Sequence, residues 1–159
     1  MSRPLPEPLV VSRRDLIVSG SVLVGSLMLP AGTGHAEPDD LAKAMSEITR
    51  GAAVKAGKVK MTLPELAENG NVVSLQVAVD SPMTAADHVK AIYILSEKNP
   101  LALVAKFHLG PRAGRARVAS NIRLATSQRV VGVAEMSDGS FWQGEQSVIV
   151  TLAACIDGG

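Results

Sequence analysis

The chain has very little cysteine, few aromatic residues and no excess of charge of either sign. Of its 159 residues one is cysteine, 3% are aromatic, and the formal net charge is +1. A single cysteine cannot form a disulfide within its own chain, nor can it supply a cluster of thiolate ligands for zinc. The near-neutral charge argues against the basic surface that binding to a phosphate backbone requires, so we expect no nucleic-acid partner.

The remaining composition is that of an ordinary globular protein, with 47% hydrophobic and 19% charged residues. This length and composition predict one folded domain and argue against intrinsic disorder. The sequence has no Ser-His-Asp order, nucleophile elbow, zinc-protease motif or phosphate-binding loop. Hydrolase and kinase functions therefore have no motif to support them.

Residues 1–36 have the features of an export signal. Residues 12–17 read Ser-Arg-Arg-Asp-Leu-Ile, a twin-arginine pattern, an uncharged apolar run follows over 16–29, and small residues surround a cleavage point at Ala36. The apolar run is too short to span a bilayer comfortably, so we expect the leader to be removed and the mature form to have no membrane anchor. We therefore expect a periplasmic protein that is exported, already folded, by the twin-arginine route.

Without the leader the chain is electrically neutral. The leader contains three of the 16 basic residues and two of the 15 acidic ones, so the remaining chain carries 13 of each. A net charge near zero removes one safeguard against association. We predict that the mature domain pairs with a second subunit through an apolar surface.

Residues 37–152 are predicted to form a mainly β domain. Apolar residues at helical spacing over 41–48, followed by Gly51, predict one short amphipathic helix. The period then changes to two, and turn signals separate seven runs that we predict as strands: 59–63, 72–79, 88–96, 101–109, 115–124, 128–136 and 146–152. Short strands with no helix between them predict an immunoglobulin-like antiparallel β-sandwich with a flexible C-terminal arm.

Few residues of the mature chain could bind a metal or an anion. His88 and His108 lie in predicted strands with no Cys, His or acidic residue at ligand spacing, so we expect no metal site and no bound cofactor. The scattered methionines are interpreted as core filling; they are Met45, Met61, Met83 and Met136. Three arginines of the fifth predicted strand are interpreted as a solvated face, with an anion-binding face as the alternative; they are Arg115, Arg117 and Arg123.

Cys155 lies beyond the last predicted strand, in a tail of mostly small residues. Residues 153–159 are predicted to form a flexible arm. Besides the cysteine, the arm consists of Ala153, Ala154, Ile156, Asp157, Gly158 and Gly159. An exposed thiol can be alkylated, oxidised or joined to another sulfur, because the thiolate reacts at a rate that access controls. Position alone leaves a reactive thiol, an inert terminal cysteine and an intermolecular disulfide open. A thiol oxidoreductase acting alone would need a resolving cysteine or an activating base near Cys155 in the sequence, and the sequence has neither.

Four segments resemble the SoxY family, the sulfur-carrying subunits of the periplasmic SoxYZ complex. They are LPELAENGN at 63–71, SPMT at 81–84, VKAI at 89–92 and VAEMSDGS at 133–140, and the resemblance extends over essentially all of the mature chain. It implies export together with a SoxZ-like subunit, as a heterodimer. It also implies a covalent carrier and not an enzyme, with Cys155 as the sulfur attachment site.

The resemblance further implies a set of partner enzymes. A SoxAX-like c-type cytochrome pair couples thiosulfate to the cysteine, a SoxB-like hydrolase releases sulfate, and a SoxCD-like sulfane dehydrogenase oxidises the remaining sulfur. The tail differs from the family pattern Gly-Gly-Cys-Gly-Gly, because Ala153 and Ala154 precede the cysteine and Ile156 and Asp157 follow it. Alanine adopts positive φ less readily than glycine, so we expect a less flexible arm.

Two interpretations of that altered tail stay open. One is a working carrier that is adapted to a different set of partners. The other is a divergent relative, a non-catalytic sandwich subunit or a sulfur or metal chaperone whose tail cysteine serves another sulfur route.

Overall fold

The computed structural model describes residues 39–154, which form one α-helix followed by nine β-strands. The helix α1 spans Asp39–Thr49, and a short 3-10 helix at Pro111–Ala113 lies between the sixth and seventh strands. Strands β1 to β9 span Val54–Ala56, Val59–Thr62, Leu66–Asn69, Val73–Val79, Val89–Ser96, Leu103–His108, Arg117–Ile122, Gln128–Met136 and Phe141–Leu152. In this range no helix is both long enough and apolar enough to cross a bilayer. The predicted export signal and Cys155 lie outside the described residues.

The strands form two sheets. The larger has the order β1-β9-β8-β5-β6, with β3 also paired to β9, and the smaller has the order β2-β4-β7. The pairs are antiparallel except that β1 and β3 both run parallel to β9. The predicted antiparallel β-sandwich with a short N-terminal helix is confirmed, and the two short parallel strands are additions to it.

The main core lies between the two sheets. Alternate residues of β4 are buried because a strand places successive side chains on opposite faces, and these residues are Val73, Leu75, Val77 and Val79. They belong to one apolar cluster with Ile92 and Ile94 of β5 and Val130 of β8. Each such aliphatic side chain contributes about 1.5–3 kcal/mol to folding when it is fully buried.

The helix covers the other face of the larger sheet. Its apolar stripe, which includes Leu41 and Met45, packs against Tyr93, Val131 and Phe141. The larger sheet is therefore buried on both faces, and this explains why β5 is almost continuously apolar where β4 alternates. In β5 only Lys90 is exposed.

A polar cluster connects β5 to β8 on that face. The carboxylate of Glu135 accepts a hydrogen bond from the Lys90 ammonium at 2.7 Å and another from the Tyr93 hydroxyl at 3.0 Å. The Lys90 hydrogen bond, ahead of other causes, lowers the pKa of Glu135 below its ordinary value of 4.5. Burial, with the neighbouring carboxylate, raises the pKa of Tyr93.

The structure corrects several details of the predicted strands. The short strands β1 and β3 were not predicted, and β9 begins at Phe141 instead of residue 146. The fifth predicted strand, 115–124, is shorter in the structure, where β7 spans Arg117–Ile122 at the edge of the smaller sheet. His88 precedes β5 instead of lying in it, and its Nδ1 is 3.1 Å from the Thr84 carbonyl oxygen.

The four methionines of the described residues pack in or against the apolar clusters. Met83 and Met136 are buried in the core, and Met45 and Met61 pack against the clusters. Within residues 39–154 there is no group of three or more His, Cys, Asp or Glu residues that could hold a metal ion.

Candidate functional site

The chain leaves the larger sheet at the end of β9 and is held by two backbone hydrogen bonds just before Cys155. The amide of Gly70 donates to the carbonyl of Leu152 at 2.8 Å, and the amide of Ala154 donates to the carbonyl of Leu124 at 3.3 Å. Ala154 is only 8% exposed. We call Gly70, Leu124 and residues 152–154 the arm root. The residue that precedes the cysteine is therefore packed on the domain.

Gly70 is the closest contact in the arm root. A Cβ atom at this position would lie 2.4 Å from the Leu124 carbonyl oxygen and 2.9 Å from the Ala154 amide nitrogen, both of which are backbone atoms. The Gly70 carbonyl also accepts a hydrogen bond from the Leu124 amide at 2.8 Å. A glycine is required here by space, because any side chain would separate the three segments that meet at this point.

The loop that contains Leu124 is itself held by a buried amide pair. The Asn99 side chain donates to the Arg123 carbonyl and accepts from the Ala125 amide, each at 2.9 Å. The Gln128 side chain donates to Asn99 Oδ1 at 2.9 Å. Both amides are buried, and buried polar groups that are paired in this way fix the backbone around them. The loop can therefore act as a rigid support for the arm root.

The last residues of β9 are also held from two sides. The Ser127 hydroxyl accepts from the Val150 amide at 2.9 Å and is 3.3 Å from the Val150 carbonyl oxygen. On the opposite side, the Thr151 hydroxyl donates to the Glu68 carbonyl of β3 at 3.0 Å. These contacts replace the pairing with β8, whose register with β9 ends at Val148.

An exposed apolar patch lies beside the arm root. Leu66 of β3 and Ile149 of β9 are register partners in adjacent strands, and they are 54% and 60% exposed. Leu152 at the end of β9 is also exposed, but it is three positions after Ile149 and therefore points to the opposite face of the strand. We call Leu66 and Ile149 the apolar patch. Large exposed hydrophobic residues that cluster in this way are typical of interaction surfaces.

The predicted site residues fall partly within the described chain. Ala153 is exposed and Ala154 is buried at the arm root, whereas Cys155, Ile156, Asp157, Gly158 and Gly159 lie outside the described residues. The assignments of Cys155 as attachment site and of 153–159 as a flexible arm thus stay predictions. Sequence analysis missed Gly70 and Leu124 as supports of the arm. The segment Asn69-Gly70-Asn71 indicated only a turn. No feature of the neighbouring sequence indicates that this turn contacts residues 152–154.

The comparisons with known proteins point to one family. The family model described as "Sulfur oxidation protein SoxY" matches residues 45–155. The solved structure of the sulfur carrier protein SoxY from Chlorobium limicola f. thiosulfatophilum is similar, with 25% sequence identity and a TM-score of 0.61. That match covers 70% of this chain and 92% of the Chlorobium chain. No curated protein sequence matches this chain.

Superoxide reductases share the fold. The enzyme described as superoxide reductase (neelaredoxin) from Ignicoccus hospitalis is 18% identical with a TM-score of 0.52, over 59% of this chain and 80% of its own. A superoxide reductase-like protein from Thermotoga maritima is 18% identical with a TM-score of 0.53, over 61% of this chain and 93% of its own. At this identity the likeness shows the sandwich fold alone. The family match, in contrast, extends over most of the chain and ends at Cys155, and the chain therefore belongs to the SoxY family of sulfur oxidation proteins.

Proposed function

We propose that this SoxY-family protein is a periplasmic sulfur carrier that holds thiosulfate-derived sulfur on Cys155 and is acted on by partner enzymes. The observation that carries the proposal is that the family match ends at Cys155, the only cysteine in the chain. The similar Chlorobium protein is described as a sulfur carrier. The buried Ala154 supports the proposal, because it gives the arm a defined starting point on the domain.

The proposed loading step is an oxidative coupling. The Cys155 thiolate and the outer sulfur of thiosulfate form an S–S bond, and the two electrons that are released pass to a SoxAX-like c-type cytochrome pair. A SoxB-like hydrolase then adds water to the terminal sulfonate, which leaves as sulfate and two protons, while a persulfide stays on Cys155. A SoxCD-like enzyme then oxidises that sulfane sulfur to a sulfonate, taking its three oxygens from water, releasing protons and passing the six electrons to an electron-accepting cytochrome. A second hydrolysis releases this sulfonate as sulfate and restores the Cys155 thiolate. The carrier needs no cofactor of its own, because each step takes place at a partner.

A SoxZ-like subunit is the proposed stable partner. The apolar patch supports this proposal, because Leu66 and Ile149 are adjacent, exposed and located on the ladder that leads to the arm root. Covering the patch removes apolar surface from water and stabilises the complex. Such a heterodimer would place the second subunit beside the arm, and export of the folded pair by the twin-arginine leader agrees with that arrangement.

Loading is tested by intact-protein mass spectrometry. The protein is incubated with thiosulfate, a SoxZ-like subunit and an oxidising cytochrome pair, and the wild type is expected to gain the mass of one S2O3 unit. The matched control is Cys155→Ser, which is expected to gain nothing. An adduct that persists in Cys155→Ser, or no adduct under conditions that load another SoxY protein, would contradict the carrier function and favour a structural or chaperone role.

The partner surface is tested separately by light scattering of the chain with a SoxZ-like subunit. Ile149→Asp places a charge in the apolar patch and is expected to abolish the heterodimer. Leu101→Asp is the control, because Leu101 is an exposed hydrophobic residue on the β5–β6 connection, outside the patch. A heterodimer that forms equally well with both variants would show that the partner binds elsewhere.

A further inference from the structure

The outer face of the smaller sheet contains a depression of about 250 Å³ that the carrier function does not use. Five side chains line it: Lys60 and Thr62 of β2, Gln76 and Ala78 of β4, and Arg117 of β7. The floor is formed by Ala78, whose register partners are Lys60 on one side and Arg117 on the other. Because neighbouring strands lie about 4.8 Å apart, the two cationic residues start about 10 Å apart with only a methyl group between them.

The lining consists almost entirely of hydrogen-bond donors. The Arg117 guanidinium donates to Gln76 Oε1, so the one amide oxygen in the depression already has a partner and the amide NH₂ group is left to donate. The Lys60 ammonium can only donate, and the Thr62 hydroxyl can donate. Among the described residues no acidic one lines the depression, and Asp80, the next residue with the same parity after Ala78, lies beyond the end of β4.

Neither cation is neutralised by the domain. The ion pairs within residues 39–154 involve Lys90 and Arg129, and none of them involves Lys60 or Arg117. Two unpaired positive charges that face one small depression attract an anion of matching charge. The arginine also offers a planar set of N–H groups that suits an anion with several oxygens.

We propose that this depression is a binding site for a tetrahedral oxyanion dianion of the sulfate type. Such a ligand offers only acceptor oxygens, which match the donors of Lys60, Thr62, Gln76 and Arg117, and its two negative charges match the two cations. The site lies on a different sheet from β9 and the arm root, so it is independent of sulfur attachment at Cys155.

The test is a titration of the purified protein with sodium sulfate at constant ionic strength, followed by the backbone amide NMR shifts of Lys60, Ala78 and Arg117. Saturable shifts are expected in the millimolar range, and sodium chloride alone is expected to produce none that saturate. Lys60→Gln is expected to weaken binding about five-fold, because it removes one of two charge-assisted donors. Ala78→Leu fills the floor without changing charge and is expected to abolish saturation.

The control variant is Arg123→Gln, which removes a positive charge beyond the end of β7 and outside the depression. It is expected to leave sulfate binding unchanged. Non-saturable shifts in the wild type, or equal weakening by Arg123→Gln and Lys60→Gln, would overturn the proposal. So would succinate, a dicarboxylate, if it bound as tightly as sulfate with the same dependence on the variants, because the face would then suit carboxylates of an acidic protein.

Discussion

The two halves of β9 are held in different ways. Residues 141–145 lie inside the larger sheet, where all of them pair with β8 and residues 141–143 pair on the other edge with the parallel strand β1. Residues 149–152 have left β8 and are held by β3 on one side and by Ser127 and Leu124 of a loop on the other. Continuous pairing with β8 fixes the first half in the larger sheet, whereas the short strand β3 and a few contacts from a loop hold the second half.

Because of this difference, a substitution in the first half is expected to change stability alone, whereas one beside the second half is expected also to move the arm. Each half has one glycine at a point where there is no room for a Cβ atom. Gly144 is part of the first half, and Gly70 packs against the second half from outside β9. Only the Gly70 contact includes the residue that precedes Cys155. The two glycines thus form a matched pair, since both substitutions insert a methyl group against backbone but only one of them displaces the arm root.

The largest loss of stability is expected for Gly144→Ala. The new Cβ would lie 2.3 Å from the Val59 carbonyl oxygen, and neither strand can move without disturbing the core. We expect the free energy of unfolding to fall by about 3 kcal/mol, as for severe overpacking. Urea denaturation measures this loss, and the rate at which folded protein is alkylated at Cys155 is expected to stay at the wild-type value. An unchanged urea midpoint would show that β2 and β9 yield easily.

A smaller loss of stability, with a change at the thiol, is expected for Gly70→Ala. The Cβ atom would press on the Leu124 carbonyl and the Ala154 amide, and the segment at Ala154 can yield because it follows the last strand. We expect a loss of about 2 kcal/mol. Displacing the arm root is also expected to change the alkylation rate of Cys155 several-fold. If Gly70→Ala alters stability alone, as Gly144→Ala is expected to do, the arm root does not control the thiol.

The contrast between the halves also explains what could be predicted from sequence. Residues 73–79 and 128–136 alternate or are continuously apolar, and the predicted strands match β4 and β8 within one residue. The first half of β9 was missed because Gln143, Gly144 and Glu145 interrupt the apolar pattern. The strands β1 and β3 are three and four residues long and mostly exposed, and both depend on pairing with a distant strand, which no local sequence pattern indicates.

In the candidate site, too, only what depends on the local sequence could be predicted. Cys155 could be singled out from its position in the chain and from the family resemblance, which are both properties of the sequence. The support given by Gly70, Leu124 and Asn99 could not be predicted, because it depends on three loops or strand ends that meet only in the folded chain. A turn signal indicates where the chain reverses and carries no information about what the turn touches.

Glu135→Gln tests the first half of β9 without touching the second. Glu135 is the register partner of Phe141, and its side chain is 15% exposed. At neutral pH we expect a loss of about 1 kcal/mol, because the Lys90 partner is half-exposed and its interaction is screened. The glutamine side chain keeps the shape of the glutamate but not its charge, and the alkylation rate of Cys155 is expected to be unchanged.

The pH dependence of that loss follows from the lowered pKa of Glu135. A carboxyl group with a lower pKa in the folded state stabilises the fold above its unfolded pKa, and this contribution disappears as the pH falls through the folded value. The wild type is therefore expected to be more stable than Glu135→Gln at pH 7, and the difference is expected to shrink below about pH 4.5. A difference that is constant between pH 7 and pH 3 would contradict the role of the charge.

The smallest change in stability is expected for Ala154→Gly, which acts on the arm root alone. Ala154 is buried, but it follows the last strand, so losing its methyl group should cost about 0.5 kcal/mol. Glycine allows more backbone conformations at the residue before Cys155, and we expect alkylation and sulfur loading to become faster by about two-fold.

A separate variant replaces Ile156 and Asp157 by glycine, which removes a bulky neighbour and a carboxylate that favours the neutral thiol. If only that second variant reacts faster, the residues after the cysteine limit access to it, and the packed arm root sets the position of the thiol without controlling its rate.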